Sequence, residues 1–334
     1  MDTELRKAGY RLDAHTGVFK KPEFTGIQYS DGDDAERRIE SIIQNASDLS
    51  TFSPELRLHC TDWVSTYHLS RSRSNILRPF NFSREQKILE IGAGCGAITR
   101  YLGESGASIL ALEGSVRRSM ITRSRTRDLP NVTVVAETFE DLHMDQQFDV
   151  ITLIGVFEYA SKYMASKNPH AAMLKRVISL LKPNGSIILA IENQLGLKYF
   201  AGVSEDHHQV PLYGIEDRYR NGEAKTFGQQ SLLTMLKDAG LANVSFFAPY
   251  PDYKLPVSIV SESGFEYKEF DASAFAWQSA HHDLQLPSAE NLTFAPEITW
   301  LPVFKEGLGL ALSNSFLILA SNDVPTCVDK SVIA

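Results

Sequence analysis

From residue 87 to residue 191 the chain alternates short apolar runs with longer amphipathic segments. The apolar runs have the length of buried strands and lie at residues 87–91, 108–112, 132–135, 150–154 and 186–191. The amphipathic segments predict helices at residues 97–104, 115–128 and 171–181. A strand followed by a helix, repeated in this way, requires right-handed crossovers and a buried parallel sheet. The pattern therefore predicts an α/β fold with helices on both faces of the sheet.

Weaker signals extend this pattern toward both ends of the chain. Further helices are predicted at residues 35–44, 62–77 and 229–239, and further strands at residues 244–247 and 314–320. The sequence Lys-Pro-Asn-Gly at residues 182–185 predicts a turn that ends one helix and leads into the fifth strand. The total is a mostly parallel sheet of seven strands.

Two long segments interrupt the second half of this pattern, at residues 193–227 and 248–313. The later one is rich in aromatic residues and proline and shows few helical signals. Long inserts in a compact domain are usually lids or binding loops, and these two would leave the sheet at the edge where α/β folds bind ligands. We expect a polar N-terminal extension over residues 1–60 and a main domain over residues 61–325 that carries both inserts.

Composition narrows the class of protein. The chain has 334 residues, of which 43% are hydrophobic and 22% charged, as in an ordinary globular protein. The net charge of -8 disfavours a nucleic-acid partner, and the arginines at residues 117–127 are interpreted as a solvated helix flank. No apolar run is long enough to cross a membrane, and the charged N-terminus does not have the pattern of a secretory signal. Three scattered cysteines suggest reduced thiols, so a cytoplasmic location is expected.

The candidate chemistry begins where the first of these strands ends. Residues 87–91 lead into a turn containing Gly92, Gly94 and Gly96, a spacing that differs from the one that seats a dinucleotide pyrophosphate. Glycine lets the backbone bend and approach a ligand closely. Glu90 precedes the turn, where it would suit a cationic ligand or bond the turn's own N–H groups. Glu113 ends the next strand, where it would accept ribose hydroxyls or serve as a charge at a helix N-terminus.

These residues, with the segments 138–142, 148–151 and 181–185, resemble class I S-adenosylmethionine-dependent methyltransferases. The resemblance covers residues 62–248 in order. It implies a Rossmann-like sheet and S-adenosylmethionine as cofactor, and it disfavours an NAD-dependent enzyme. The three glycines would line the methionine half of the cofactor, with Glu90 close by and Glu113 on the ribose.

The resemblance also implies contacts at positions with less distinctive sequence. Thr138 and Phe139 match the place where family members read the adenine edge. Many members have an acidic residue there and Thr138 is not acidic, so the backbone N–H of Phe139 is the expected contact. The remaining expected cofactor contacts are Gly155 and Val156 beside the sulfonium, and Tyr67 and Arg71 near the cofactor carboxylate.

Catalytic residues are expected on the loops after the fourth and fifth strands. His207 and His208 are suited to take the acceptor proton because imidazole titrates near neutrality, and Asp206 or Glu205 would orient the ring. An exposed loop without a catalytic role is an equal alternative. Glu158 is the next candidate base. No metal site is expected here, since adjacent residues rarely converge on one ion.

The segment 191–202, with residues 253–256 and 313–317, is similar to methyltransferases that accompany glycosyltransferases in bacterial surface-polysaccharide assembly. This resemblance implies O-methylation of a glycan or a related small metabolite, with glycosyltransferases as partners. The alternative is a catalytically inactive cofactor-binding scaffold in a polysaccharide-assembly complex. The aromatic residues of the inserts would either stack on sugars or pack the inserts' own core. They are Tyr199, Tyr213, Tyr219, Tyr250, Tyr253, Trp277 and Trp300.

Overall fold

The computed structural model describes residues 1–267, 269–287 and 291–323. These residues form two compact units. Unit 1 contains Met1–Leu153 and Arg176–Ser186, and unit 2 contains Ile154–Lys175 and the described residues from 187 on. The expected end of the main domain at residue 325 lies outside the described residues, as do four positions of the expected insert 248–313.

The strands of the described residues are β1 (Arg11–Leu12), β2 (Phe19–Lys20), β3 (Lys87–Ile91), β4 (Ser108–Glu113), β5 (Val132–Ala136), β6 (Phe148–Ile154), β7 (Leu181–Glu192), β8 (Asn243–Tyr250), β9 (Ser258–Ser261) and β10 (Ser315–Ser321). The helices are α1 (Asp2–Lys7), α2 (Asp33–Asn45), α3 (Pro54–Arg57), α4 (Trp63–Leu69), α5 (Ala97–Glu104), α6 (Val116–Arg125), α7 (Ala160–Tyr163), α8 (Pro169–Ser179), α9 (Leu197–Phe200), α10 (Gln229–Asp238), α11 (Glu262–Glu266), α12 (Ala272–Ala280) and α13 (Pro296–Lys305).

Unit 1 contains the predicted parallel sheet. Its strand order is β1-β2-β5-β4-β3-β6, and every neighbouring pair from β2 to β6 is parallel. The central strands are buried on both faces, as their continuous apolar sequences require. The prediction of a mostly parallel α/β fold is confirmed. The polar N-terminal segment contributes to it directly, because β2 pairs with β5 through Phe19 and Lys20.

Unit 2 ends in an antiparallel arrangement. Here β10 pairs with β8, and β8 pairs with β9, both antiparallel. The predicted strands at residues 244–247 and 314–320 are confirmed within one to three residues. The described residues hold ten strands rather than seven, because β1, β2 and β9 are too short or too polar to give a periodic signal.

Two local predictions are wrong, and one insert contains helices that its sequence signals only weakly. Residues 182–185 belong to β7, which begins at Leu181, and do not form the expected turn. The helix predicted over 62–77 divides at Ser70, whose backbone is extended, into α4 and a 3-10 helix at Arg71–Leu77. The insert 248–313 contains α11, α12 and α13. Helix α12 buries alanine and serine rather than large residues, so its sequence has little amphipathic contrast.

The arginines at residues 117–127 are not simply a solvated helix flank, because Arg118 and Arg125 are buried and Arg127, although exposed, bonds the N-terminal segment. Arg118 is buried and binds Glu36 of α2 through Nε at 2.7 Å. Arg127 donates to the carbonyl oxygens of Ile43 and Ala46 at 2.9 and 2.6 Å. These two side chains connect α6 and the residues after it to the N-terminal segment.

Candidate functional site

The glycine loop, residues 92–96, follows β3 and is held in place by β4. The N–H groups of Gly92 and Ala93 both donate to the carbonyl oxygen of Leu112, at 2.9 and 3.0 Å. Gly92, Gly94 and Gly96 have φ angles of +79°, +56° and +79°, in the left-handed region that favours glycine. The backbone conformation of the turn therefore explains why these three positions are glycine.

Two of these glycines have different surroundings. A Cβ on Gly96 would lie 3.0 Å from the Cα of Thr122, so this position must stay small for α5 to pack beside α6. A Cβ on Gly94 would meet nothing within 4 Å. Gly94 therefore borders open space, as expected of a loop that a ligand approaches closely.

Glu113, the last residue of β4, braces this loop. Its carboxylate accepts the N–H of Gly94 at 2.7 Å and the N–H of Ser115, the N-cap of α6, at 2.8 Å. Burial raises the pKa of Glu113, and the two backbone N–H groups oppose that shift. Glu113 thus lies at the N-terminus of α6, as one of its two expected roles requires. Its contact with a ribose stays a prediction.

Glu90 lies beside the loop with a polar atom unsatisfied. The residue is 3% exposed, and its Oε2 has no hydrogen-bond partner among the described residues. Burial raises the pKa of Glu90 to about 7, and the nearby Glu113 charge acts in the same direction. A buried carboxylate oxygen without a partner is costly, and a cationic ligand group would satisfy it.

Arg73, rather than the predicted Arg71, is the buried arginine close to Tyr67 and Glu90. Arg71 is exposed, whereas Arg73 is 4% exposed and lies with its guanidinium carbon 4.7 Å from the ring centroid of Tyr67. The charge of Arg73 also acts to lower the pKa of Glu90. Sequence reasoning missed Arg73 because it assumed a continuous helix, and the extended Ser70 changes which arginine faces inward.

The predicted adenine-reading segment follows β5. Thr138 bonds Asp141 through its hydroxyl at 2.8 Å, so its side chain is engaged locally. The carbonyl oxygen of Phe139 accepts Nε of Arg176 at 3.0 Å. Within residues 1–267, 269–287 and 291–323, no partner is found for the Phe139 N–H. The Phe139 N–H therefore stays a better prediction for an adenine contact than the side chain of Thr138.

Gly155 and Val156 belong to unit 2. Gly155 has a φ angle of +72°, and a Cβ there would lie 2.7 Å from the hydroxyl oxygen of Tyr253. Its N–H donates to Ala190 at 2.9 Å. Val156 leads into the 3-10 helix Phe157–Tyr159. The glycine is thus explained by packing, and the contact of both residues with a sulfonium stays a prediction.

Unit 2 also gathers a set of buried charges, which we name the charged cluster. Its members are Glu158, Lys198, Glu192, Asp206, His207, Asp252 and Lys254. Glu158 and Glu192 are 1% and 0% exposed, and one ligand atom each of Glu158, Glu192 and His207 lies within 4.8 Å of the other two. Lys254 contacts Glu192 at 2.5 Å and Asp206 at 2.9 Å. Lys198 contacts Asp206 at 2.9 Å and Asp252 at 3.1 Å.

The electrostatics of the charged cluster separate its two glutamates. Burial and the charge of Glu192 raise the pKa of Glu158 to about 8. Burial acts in the same direction on Glu192, but Lys254 and His207 outweigh it and hold the pKa of Glu192 well below its usual range. For His207, burial lowers the pKa and the carboxylates outweigh it, raising the pKa to about 9. The pKa of His207 thus lies above the ordinary imidazole value, which makes it a weaker candidate for a neutral base, and its catalytic role stays a prediction.

His208 has a different setting from its neighbour. Its ring stacks on Tyr213 at 4.1 Å between centroids, and Nε2 donates to the carbonyl oxygen of Ala224 at 3.2 Å. This bond fixes Nδ1 as the accepting nitrogen. The expected carboxylate partner is absent among the described residues: Glu205 accepts the backbone N–H groups of both histidines, and Asp206 binds the lysines.

Most aromatic residues of the inserts pack inside unit 2. Tyr199, Tyr250, Tyr253 and Trp300 are at most 2% exposed. Tyr213 and Tyr219 are half-buried, and Trp277 is 46% exposed. The core-packing alternative thus holds for four of the seven residues; of the other three, Tyr213 and Tyr219 contact each other and the His208 ring, and Trp277 is exposed.

Comparison with known proteins supports the class suggested by the glycine loop. Residues 89–187 match the Methyltransf_12 family, described as a methyltransferase domain. This segment begins within β3 and ends within β7, and it contains the glycine loop and Glu113. Residues 89–187 are thus similar to a methyltransferase domain, and the prediction of S-adenosylmethionine as cofactor is confirmed.

Curated relatives align over limited lengths. The cypemycin N-terminal methyltransferase of a Streptomyces species is 30% identical over 102 residues, which are 30% of this chain and 40% of that protein. The ubiquinone biosynthesis O-methyltransferase of Rickettsia canadensis is 20% identical over 185 residues, or 55% of this chain and 73% of that one. The chain thus spans less than half the length of the first relative, and the two names describe different reactions.

Solved structures give a weaker likeness. The plantazolicin methyltransferase BamL, solved with a triazolic analogue and S-adenosylhomocysteine, has 14% identity and a TM-score of 0.42, covering 87% of this chain and 99% of that one. Phosphoethanolamine N-methyltransferase 2 of Haemonchus contortus has 14% identity and a TM-score of 0.43, covering 75% and 52%. Neither likeness assigns a substrate. None of the helices in the described residues has the length and apolar character needed to span a membrane.

Proposed function

We propose that this protein transfers a methyl group from S-adenosylmethionine to a hydroxyl group of a glycan or a related small metabolite. The observation that carries the methyltransferase part lies in unit 1: a buried carboxylate oxygen of Glu90 lacks a partner beside a loop whose Gly94 borders open space. Both features fit a cationic ligand that approaches the backbone closely. S-adenosylmethionine, when bound, supplies the methyl group on a positively charged sulfur.

The residues of unit 1 have separable roles in this proposal. Glu90 would accept a hydrogen bond from the cofactor's ammonium group, and Arg73 would bind its carboxylate in place of Arg71. Glu113 would accept the ribose hydroxyls while it continues to hold the Gly94 N–H. The N–H of Phe139 would donate to the adenine edge.

His208 is our proposed base for the acceptor hydroxyl. The proton of that hydroxyl must leave as the methyl group arrives, and a neutral imidazole is a suitable recipient. The bond from Nε2 to Ala224 keeps the ring in the tautomer whose Nδ1 can accept. His207 is less suited because the neighbouring carboxylates hold a proton on it.

Two observations favour a glycan as the acceptor. They are the resemblance to methyltransferases that accompany glycosyltransferases, and the three insert rings that are half-buried or exposed, Tyr213, Tyr219 and Trp277. Aromatic faces suit the apolar faces of sugars. A glycan acceptor implies that the partners of this protein are the glycosyltransferases that make the glycan.

The test combines binding with turnover. Purified protein is given S-adenosylmethionine with an isotopically labelled methyl group and a panel of oligosaccharides and nucleotide sugars, and products are read by mass spectrometry. We expect binding of the cofactor by calorimetry and transfer of one labelled methyl group to a sugar hydroxyl. Transfer to amines alone would contradict the acceptor class. Cofactor binding without transfer to any glycan from the producing cells would favour the inactive scaffold.

A further inference from the structure

The charged cluster contains an unexplained convergence of ligand atoms. Among the described residues, Oε2 of Glu158, Oε2 of Glu192 and Nε2 of His207 are buried and have no hydrogen-bond partner. His207 Nε2 lies 3.4 Å from Glu192 Oε2, an ion-pair contact without hydrogen-bond geometry. Buried polar atoms are nearly always satisfied, so three orphan atoms in one place point to a missing partner.

The elements that carry these residues hold them firmly. Glu192 ends β7, and its Oε1 is engaged by Lys254 at 2.5 Å, which leaves Oε2 directed elsewhere. The ring of His207 is oriented by the hydroxyl of Tyr159, 3.1 Å from Nδ1, and its backbone N–H is bound by Glu205. A hydrogen-bonded second nitrogen is the usual setting of a metal-binding histidine.

The charges of the cluster favour a cation. Four buried carboxylates, those of Glu158, Glu192, Asp206 and Asp252, face two lysines, Lys198 and Lys254. When Glu158 is ionised and His207 is neutral, which is the state in which both can bind a metal ion, the set carries an excess of two negative charges. Uncompensated buried charge is strongly unfavourable, and a divalent cation would balance it.

We propose that Glu158, Glu192 and His207 form a binding site for a divalent transition-metal ion. Two carboxylate oxygens and one imidazole nitrogen suit manganese or zinc better than the oxygen-seeking magnesium or calcium. Three protein ligands leave at least one coordination position open. Binding replaces the proton on His207 by the metal, since ligand nitrogens must be deprotonated. The site does not depend on the proposed methyl transfer.

The test uses the full-length protein, stripped with a chelator and titrated with manganese alone by calorimetry. We expect one equivalent to bind, with magnesium weaker than manganese. Glu158→Gln and His207→Gln should each weaken manganese binding by roughly 100-fold or more. His170→Gln is the matched control, because His170 is a buried histidine of the same unit that packs between Phe157 and Phe227.

Circular dichroism shows whether each variant is folded, and a spin-echo experiment on the manganese complex gives a second measurement. A directly bound imidazole nitrogen should modulate the echo in the wild type and in His170→Gln, but not in His207→Gln. The proposal is overturned if neither manganese nor zinc binds saturably to the wild type, or if folded Glu158→Gln and His207→Gln bind as the wild type does. Tighter binding of magnesium would also contradict it. Methyl-transfer activity enters none of these readouts.

Discussion

The glycine loop and the charged cluster are built in opposite ways. The loop is five consecutive residues with three positive φ angles, and its backbone is held by hydrogen bonds to two adjacent residues of β4, Leu112 and Glu113. The cluster joins side chains from position 158 to position 254, and opposed charges hold it together. Changes in the loop should therefore act mainly on ligand binding. Loss of a lysine from the cluster should act mainly on the stability of the fold.

The largest expected effect is on stability. Lys254→Ala would leave Glu192, Asp206 and Asp252 short of a buried counter-charge, which typically costs about 3–5 kcal/mol. Urea unfolding measures this loss. Lys225→Ala is the control, because Lys225 pairs with the exposed Asp217, and a surface pair contributes about 1 kcal/mol or less. Equal losses in both variants would show that the charged cluster is not the stabilising unit described here.

Glu90 should make stability depend on pH. Its folded pKa of about 7 lies above the ordinary value of 4.5, so its contribution is complete below pH 4.5 and is lost as pH rises through 7. The loss is on the order of 3 kcal/mol. Unfolding free energies of the wild type and Glu90→Gln, measured from pH 5 to pH 8, should diverge accordingly. If the two curves run parallel, the pKa of Glu90 is not raised in the folded protein.

His208→Ala should lower turnover by roughly 100-fold and leave cofactor affinity unchanged, because the proposed base contacts the acceptor only. Steady-state kinetics and calorimetry on the same preparation separate the two effects. Should His208→Ala turn over normally, Glu158 becomes the next proposed base, or the acceptor needs none.

Glu113→Ala should weaken S-adenosylmethionine binding by about 2 kcal/mol, or about 30-fold, by removing a ribose acceptor. It also leaves the N–H groups of Gly94 and Ser115 without their partner, so some stability is lost as well. Calorimetry and thermal melting measure the two effects. Unchanged affinity in a protein that melts earlier would assign Glu113 a bracing role alone.

The smallest effect is expected at Gly94. Alanine there has free space, so the backbone cost of its positive φ, about 1 kcal/mol, is the main loss in the free protein. Cofactor affinity should fall further in Gly94→Val than in Gly94→Ala, because each added methyl group intrudes on the ligand. Gly96→Ala is the contrasting case, since its Cβ meets Thr122 and should destabilise the fold itself. Normal cofactor binding by both Gly94 variants would contradict a ligand at this loop.

The same contrast explains what the sequence could predict. The bounds of β3 and α5 were predicted to the residue, because a buried strand, a glycine turn and an amphipathic helix follow one another with clear periodicity. The cluster was not predicted: Lys254 lies 62 positions beyond Glu192, and no local pattern signals such a pairing. His207 was found by residue type, but the carboxylates that raise its pKa come mainly from other elements, so the sequence around it could not signal that shift.

Arg118 sets a limit on how this protein can be divided. The family match begins at residue 89, so a shortened chain or a gene fusion starting at residue 61 would keep the whole matched segment. Such a chain would lack Glu36 and Asp31, the two carboxylates that contact the Arg118 guanidinium. It would keep a buried cation on the helix that follows Glu113, with no acid beside it from the N-terminal segment. We therefore expect a chain that begins at residue 61 to be less stable than the full-length protein, although it contains the whole matched segment.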